Sequence, residues 1–272
     1  MLVRIIVYPV ISILCTCHIY YFVSSSLQMT SYRYSHPRPS VATDVVVLRN
    51  GHNGLEVLLI DRKEEPKGLA LPGGFLRVGP PEVEHAVARG SAIPEDVDPS
   101  LEACALRELE EETGVHPLRI HQLGAYGDAA RDPRGRYISA AYWTFVHDSR
   151  CEPRAGSDAG AVHWAALSEI GRLEFDHNRI LDDAKARIRQ RHDELDLFLE
   201  LMPEVFTYPD FHAAYQRAIG RVVDRSNLYK RAAGLLAPGE LSEPPAATPR
   251  GRGHPPKHYN LRRVLAALGE TA

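Results

Sequence analysis

Three carboxylates, Glu108, Glu111 and Glu112, are spaced i, i+3, i+4, so a helix over residues 101–113 carries them on one face. Like charges at that spacing repel and weaken the helix. The apolar stripe of the same helix starts with Leu101, Cys104 and Ala105, and its next positions are 108 and 112, both Glu. Acids where core residues belong call for a cation. Oxygen ligands at this density suit Mg²⁺ or Mn²⁺ better than zinc. Arg107 reaches Glu111 four residues on and can hold it. Upstream, Gly73 and Gly74 follow Pro72 and let the backbone approach closely, which makes the Gly73 carbonyl a further candidate metal ligand. The thirteen histidines contain no HExxH grouping, and His163 and His177 are expected to be ordinary packing or surface residues.

The elements that must position these groups are those of a mixed fold. Apolar runs at 45–48 and 55–60, separated by Asn50, Gly51, Asn53 and Gly54, read as a hairpin. The acidic helix is expected to start from Asp98 as N-cap with Pro99 in its first turn, and to stop at Gly114. Strands are expected near 120–126, 137–147 and 162–164, and a long charged helix over 176–197. Strands interleaved with helices give an α/β sandwich. The turn before the strand at 137 holds Arg131, Arg134 and Arg136. These guanidiniums are either a phosphate or ribose contact or a solvated hairpin loop.

The composition is ordinary for a globular chain: 272 residues, 44% hydrophobic and 25% charged. It excludes a disordered or collagenous chain, and four scattered cysteines exclude a disulfide scaffold. The net charge of −3 hides a split. Residues 29–202 carry 21 basic and 29 acidic side chains, whereas residues 203–272 carry 10 basic and 6 acidic ones. A basic tail unit beside an acidic body fits a polyanionic partner for the tail. There, Phe211, Tyr215 and Ile219 repeat at helical spacing before Gly220, and Leu228, Ala232 and Leu235 set a second stripe. Two short helices, a tight turn and a Pro/Gly/Arg-rich arm suggest a winged helix-turn-helix that binds duplex DNA. Arg225, Asn227 and Lys230 then face outward for base edges and phosphates, with Arg250, Arg252 and Lys257 on the wing. A solvated helical appendage with a basic loop is the plainer alternative.

The run from Arg107 through Glu108, Glu111, Glu112 and Gly114 to Val115 resembles the second half of the Nudix box, REUxEExGU, at every position. The first half departs from it. Pro80 stands five residues after Gly74 and Pro99 stands seven before Arg107, where the box has Glu, and about nineteen residues are inserted between. Glu82, Glu84, Glu95, Asp96 or Asp98 are the available substitutes, and no aromatic stands shortly before Pro72, at Lys67 to Leu71. The resemblance implies a Nudix α/β/α sandwich and cleavage of a nucleoside diphosphate linked to another group. It implies Glu108, Glu111 and Arg107 as catalytic residues, with Glu108, Glu111, Glu112 and Gly73 at the metal. It assigns no base, although Glu152 and Asp158 lie where some relatives place theirs. Hydrolysis is expected to be weak, given the two prolines.

A second resemblance spans Leu173 to His177, Met202 to Thr207, Asp224 to Lys230 and Gly253 to Tyr259. These segments are similar to the Nudix-related transcriptional regulators of NAD metabolism. That likeness implies a homodimer that responds to ADP-ribose or a related nucleotide, in the cytoplasm and away from membranes. The alternative is a Mg²⁺-dependent Nudix hydrolase with no DNA role. The expected units are 29–190 for the Nudix domain and 191–265 for the winged helix-turn-helix. Residues 1–28 are apolar and lack Ala, Gly, Asp, Glu and Lys. They are expected to be an upstream read-through before Met29, with a signal-like or membrane segment as the alternative.

Overall fold

The computed structural model describes residues 38–51, 54–151, 159–242 and 256–269. The expected hairpin is formed by β1 (Ser40–Gly51) and β2 (Gly54–Arg62). With β3 (Leu69–Ala70), β4 (Gly73–Phe75), β5 (His121–Tyr126), β6 (Tyr137–Phe145) and β7 (Ala159–Ala166) it makes a seven-stranded sheet. The order is β3-β2-β1-β6-β5, with β4 beside β1 and β7 along β2. β1 and β6 run parallel, from Ser40 opposite Tyr137 to Leu48 opposite Phe145, and the other pairs are antiparallel.

A central strand between two helical layers must be apolar on both faces. β1 is: Val45 and Val47 share a cluster with Ala105 and Leu109 of α2 (Leu101–Thr113). Val46 and Leu48 share another with Ile180, Leu181 and Ala184 of α3 (His177–Gln190). α2 spans the expected residues and ends on Gly114 in the left-handed region at φ 68°. Its cap differs from expectation. Ser100 caps it by accepting from the Ala103 N–H, because the Asp98 side chain is engaged by Arg107. The inserted stretch contains α1 (Pro81–Ala88), which buries none of its residues.

The long helix expected over 176–197 is broken. α3 stops at Gln190, and a 3₁₀ helix, Leu195–Leu201, follows. Leu195, Leu197, Phe198, Leu199 and Leu201 are all buried, a wrap-around burial that a one-faced α-helix cannot satisfy. This plug leads into β8 (Val205–Thr207), α4 (Tyr208–Ile219), α5 (Arg225–Leu236), β9 (His258–Asn260) and α6 (Leu261–Ala267). Thr207 and Asp210 form a capping box at the start of α4, and Gly220 at φ 70° ends it. The α5 stripe is Leu228, Ala232 and Leu236, with Leu235 only half-buried, since spacing by four keeps the contact where spacing by three turns it away. β8 pairs antiparallel with β9, and the Leu241 N–H bonds to the His258 carbonyl. Two helices and this small sheet form the helix-turn-helix with its wing base. Among the described residues no helix is long and apolar enough to cross a membrane.

One core runs through both units. The Phe198 ring lies 5.7 Å from Phe145 of β6 and 4.7 Å from Tyr215 of α4, and Leu228, Ala232 and Val264 join the cluster that holds Trp143. Phe198→Ala should therefore cost about 3–5 kcal/mol. Scanning calorimetry should show one transition in the wild type and one lowered transition in the variant; two independent transitions would contradict the shared core.

Candidate functional site

The two loop glycines are steric requirements. A Cβ on Gly73 would strike the Thr43 carbonyl oxygen of β1, and one on Gly74 would strike the Glu108 carboxylate. Bare backbone lets α2 lie directly against β4. The Gly73 N–H then donates to Glu112 Oε2 at 2.8 Å. Burial pushes the Glu112 carboxyl up, the Gly73 N–H opposes this, and the charges of Glu108 and Asp44 add to it, leaving it at about 8. Burial also raises Glu108, although Arg107 Nη1 donates to it at 2.7 Å. Glu111 does not join this pair. It is exposed and tied to Arg77 Nη2 at 2.9 Å and Arg107 Nη1 at 3.1 Å.

Arg107 is the hub of the loop. Its Nε and Nη2 donate to the two oxygens of Asp98 at 2.8 and 2.7 Å, and Nη2 also donates to the Phe75 carbonyl at 3.2 Å. The Arg77 N–H donates to the same carboxylate at 2.8 Å. Burial raises the Asp98 carboxyl, but Arg107 and the Arg77 N–H outweigh it, so its pKa lies below the ordinary range. Asp98 thus returns from the far end of the insertion to the arginine that Pro80 and Pro99 leave unanswered.

A second network lies beneath the glycine loop. Asp44 accepts from Ser139 Oγ at 2.6 Å and Arg131 Nη2 at 3.2 Å, with His177 Nε2 at 3.4 Å. Against the cost of burial, His177, Ser139 and Arg131 hold it down at about 2. Arg131 also donates to Asp176 at 2.8 and 3.1 Å and is itself buried. It is held by two carboxylates beneath the loop, away from Arg134 and Arg136, which are exposed. His177 is buried as well, and its Nδ1 accepts from the Leu71 N–H at 3.0 Å, just before the Pro-Gly-Gly turn. It fixes the loop, beyond the ordinary packing expected of it.

Aromatics that the sequence reading did not use surround Arg134. Its guanidinium carbon lies 5.3 Å from the Tyr137 and Phe175 rings and 5.9 Å from the Phe75 ring, while Asp132 accepts from Nη2 at 2.7 Å. Arg62 also sits over the Phe175 ring, at 4.8 Å, and its charge acts on Glu112. Phe175 has φ 57°, an uncommon conformation for a bulky side chain, and Phe75 is 42% exposed. Arg136 is exposed at the entrance to β6. The signals were Phe75 directly after the glycines and Phe175 directly before Asp176 and His177.

The donors at the acidic helix are all oxygens. Glu108 and Glu112 are half-buried, and the desolvation that raises both carboxyls outweighs the partners that oppose it, which suits a hard divalent cation. Among the described residues no three His, Cys, Asp or Glu side chains already converge on one ion-sized point. On the second unit, Arg225, Asn227 and Lys230 are exposed along α5, whose N-cap Asp224 accepts from the Asn227 N–H at 2.8 Å. Lys257 is exposed but paired with Glu240 at 2.9 Å. Arg250, Arg252, Glu152 and Asp158 lie outside the described residues.

A sheet clasped between an acidic helix and a second helical layer, with a glycine loop beneath the acids, defines an α/β sandwich. Residues 94–184 match the family described as NUDIX domain. The chain is 36% identical over 158 residues to an ADP-ribose pyrophosphatase of Methanocaldococcus jannaschii, covering 57% of this chain and 78% of that one. It belongs to the Nudix family. It is also 26% identical over 215 residues to the ADPR responsive transcriptional repressor NtrR of Acinetobacter baylyi, covering 77% and 79% of the two chains. The crystal structure of Shewanella oneidensis NrtR matches with TM-score 0.62 at 25% identity, over 82% of this chain and 94% of that one. A structure of the same protein with a 27mer DNA matches with TM-score 0.63 at 24% identity, over 84% and 95%.

The Glu112 carboxyl, at about 8 in the folded protein, ordinarily sits near 4.5. Between those values the folded state holds a proton that the unfolded chain has lost, so this group makes metal-free stability fall as pH rises from 4.5 to 8. A divalent cation removes that cost. Mg²⁺ should then raise Tm more at high pH than at pH 6. Glu112→Gln should be the more stable form without metal at the top of the window, with metal affinity weakened about tenfold or more. An equal Mg²⁺ shift in the variant would refute the assignment.

Proposed function

We propose that this chain is a transcriptional regulator that senses ADP-ribose or a closely related nucleotide in its Nudix unit, residues 29–190. It reads duplex DNA through the winged helix-turn-helix unit, residues 191–265. The observation that carries this reading is the core cluster that runs from Leu71, just before the glycine loop, through the sheet and α3 to Leu228, Ala232 and Leu236 on the inner face of α5. A ligand felt at one end of such a body biases the other. The Acinetobacter baylyi repressor, ADPR-responsive by name, aligns across both units, which supports the same assignment.

Glu108 and Glu112, with the Gly73 carbonyl, would hold Mg²⁺ or Mn²⁺, and the cation would supply positive charge against a pyrophosphate. The chain's own groups do the rest. Phe75, Tyr137 and Phe175 offer ring faces for a base, with Arg62, Arg134 and Arg136 beside them for phosphate or ribose oxygens. Glu111 and Arg107 keep the loop in register with the helix. On the DNA side, Arg225, Asn227 and Lys230 enter the major groove. Arg250, Arg252 and Lys257 meet the backbone from the wing, and the protein binds as a homodimer on half-sites about 10 bp apart or a multiple of that.

A second reading, a hydrolase acting on nucleoside diphosphate compounds, is favoured by Asp98, which restores the anchor of Arg107 despite the two prolines. Fluorescence anisotropy separates the two. Duplex DNA from upstream of the protein's own coding sequence should bind more tightly than a scrambled control, and ADP-ribose should change that affinity about fivefold or more. Asn227→Ala should cost roughly 1–3 kcal/mol on the specific duplex and little on the control. Equal weak binding to both duplexes, together with ADP-ribose turnover near 10 s⁻¹, about the median for enzymes, would install the hydrolase instead.

A further inference from the structure

Where the two units meet, on the sheet face opposite the acidic helix, lies an open cleft of about 280 Å³. Its floor is apolar: Leu55 from the hairpin, Ile188 from α3 and Ala218 from α4, all buried. Its rim is cationic, with Lys185 and Arg189 from α3 facing Arg217 from the last turn of α4. Lys185 is shared with Asp182 at 2.8 Å. Arg189 and Arg217 are exposed and have no carboxylate partner among the described residues, whereas Arg179 and Arg191 of the same region are paired with Asp128 and Glu194. The exposed Ser168 adds a hydroxyl at the rim.

Two helices, α3 and α4, end here, and each leaves about half a negative charge on its last carbonyls. A guanidinium in a last turn complements its own helix end, and that role needs no ligand. Two guanidiniums without a carboxylate partner among the described residues exceed what two helix ends require, and with Lys185 they line one cleft that has an apolar floor. The acidic helix on the other face repels anions; this cleft draws them.

We propose that the cleft is a second ligand site for a small phosphorylated molecule. The phosphate sits between Arg189, Arg217 and Lys185, and the apolar part lies on Leu55, Ile188 and Ala218. Guanidiniums suit the phosphate because they offer forked donors to its oxygens. Because the rim is divided between α3 and α4, an occupant ties the helix-turn-helix to the sheet and shifts the balance between DNA-competent and incompetent arrangements. This site is independent of the nucleotide reading above.

The test uses the full chain in EDTA, so that no cation at Glu108 and Glu112 recruits phosphate, with inorganic phosphate and phenyl phosphate as probes followed by ³¹P NMR line broadening. Both should bind, phenyl phosphate roughly fivefold or more tightly because its ring covers the floor. Arg189→Gln and Arg217→Gln should each weaken binding about tenfold, while Arg217→Lys, which keeps the charge, should lose less. Thermal melts show whether each variant is folded, and ADP-ribose should not compete. No broadening at tens of millimolar, competition by ADP-ribose, or equal binding by the folded glutamine variants would each overturn the proposal.

Discussion

A buried negative charge at Asp44 organises the site. An ionised carboxylate inside a sheet is costly unless its partners surround it, and here three side chains supply them. Ser139 reaches it from the adjacent parallel strand, Arg131 from the loop before that strand, His177 from the start of α3, and β4 runs alongside. His177 spends its other nitrogen on the Leu71 N–H. Satisfying one carboxylate therefore fixes the loop in which Gly73 and Gly74 make room for Glu112 and Glu108. Asp44 stays charged, and its charge is part of what keeps the proton on Glu112. The site is tuned by a residue that lies beneath the glycine loop and outside the acidic helix.

The sequence was most legible where the determinants are local. The α2 boundaries, the Gly114 and Gly220 stops and the two acids in apolar register all follow from spacing within one helix. Arg131, by contrast, looks like any loop arginine until Asp176, 45 residues on, and Asp44, 87 residues back, are brought to it. Local pattern carries no trace of such a pairing. The same holds for Asp98, read as a helix cap from its position while its oxygens belong to Arg107. The 3₁₀ plug at Leu195–Leu201 escaped because periodicity assumes one buried face, and a segment buried all round has no phase to read. The aromatic cage was missed for a related reason: its rings come from β4, β6 and the loop just before α3.

The plug also bears on how the two units communicate. Glu200 is fully buried in it and accepts from Arg119, His121 and the Phe145 N–H, so the connecting segment is bolted to the edge of the sheet by charge as well as by Phe198. A linker held in this way passes displacement along instead of absorbing it. Movement of β5 or β6 reaches α4 through packed side chains, which are close to incompressible.

The return of Asp98 to Arg107 changes how the diagnostic motif of this family is to be understood. What the loop requires is a carboxylate delivered to a point in space, and the number of residues spent on the way is secondary. Closing a longer loop is inexpensive, with each doubling of its length costing only about 0.6 kcal/mol. The stretch holding α1, which buries nothing, is therefore a tolerated detour. Between Arg77 and Asp98 the chain is free to lengthen, shorten or acquire new surface over generations, provided that one acid comes home.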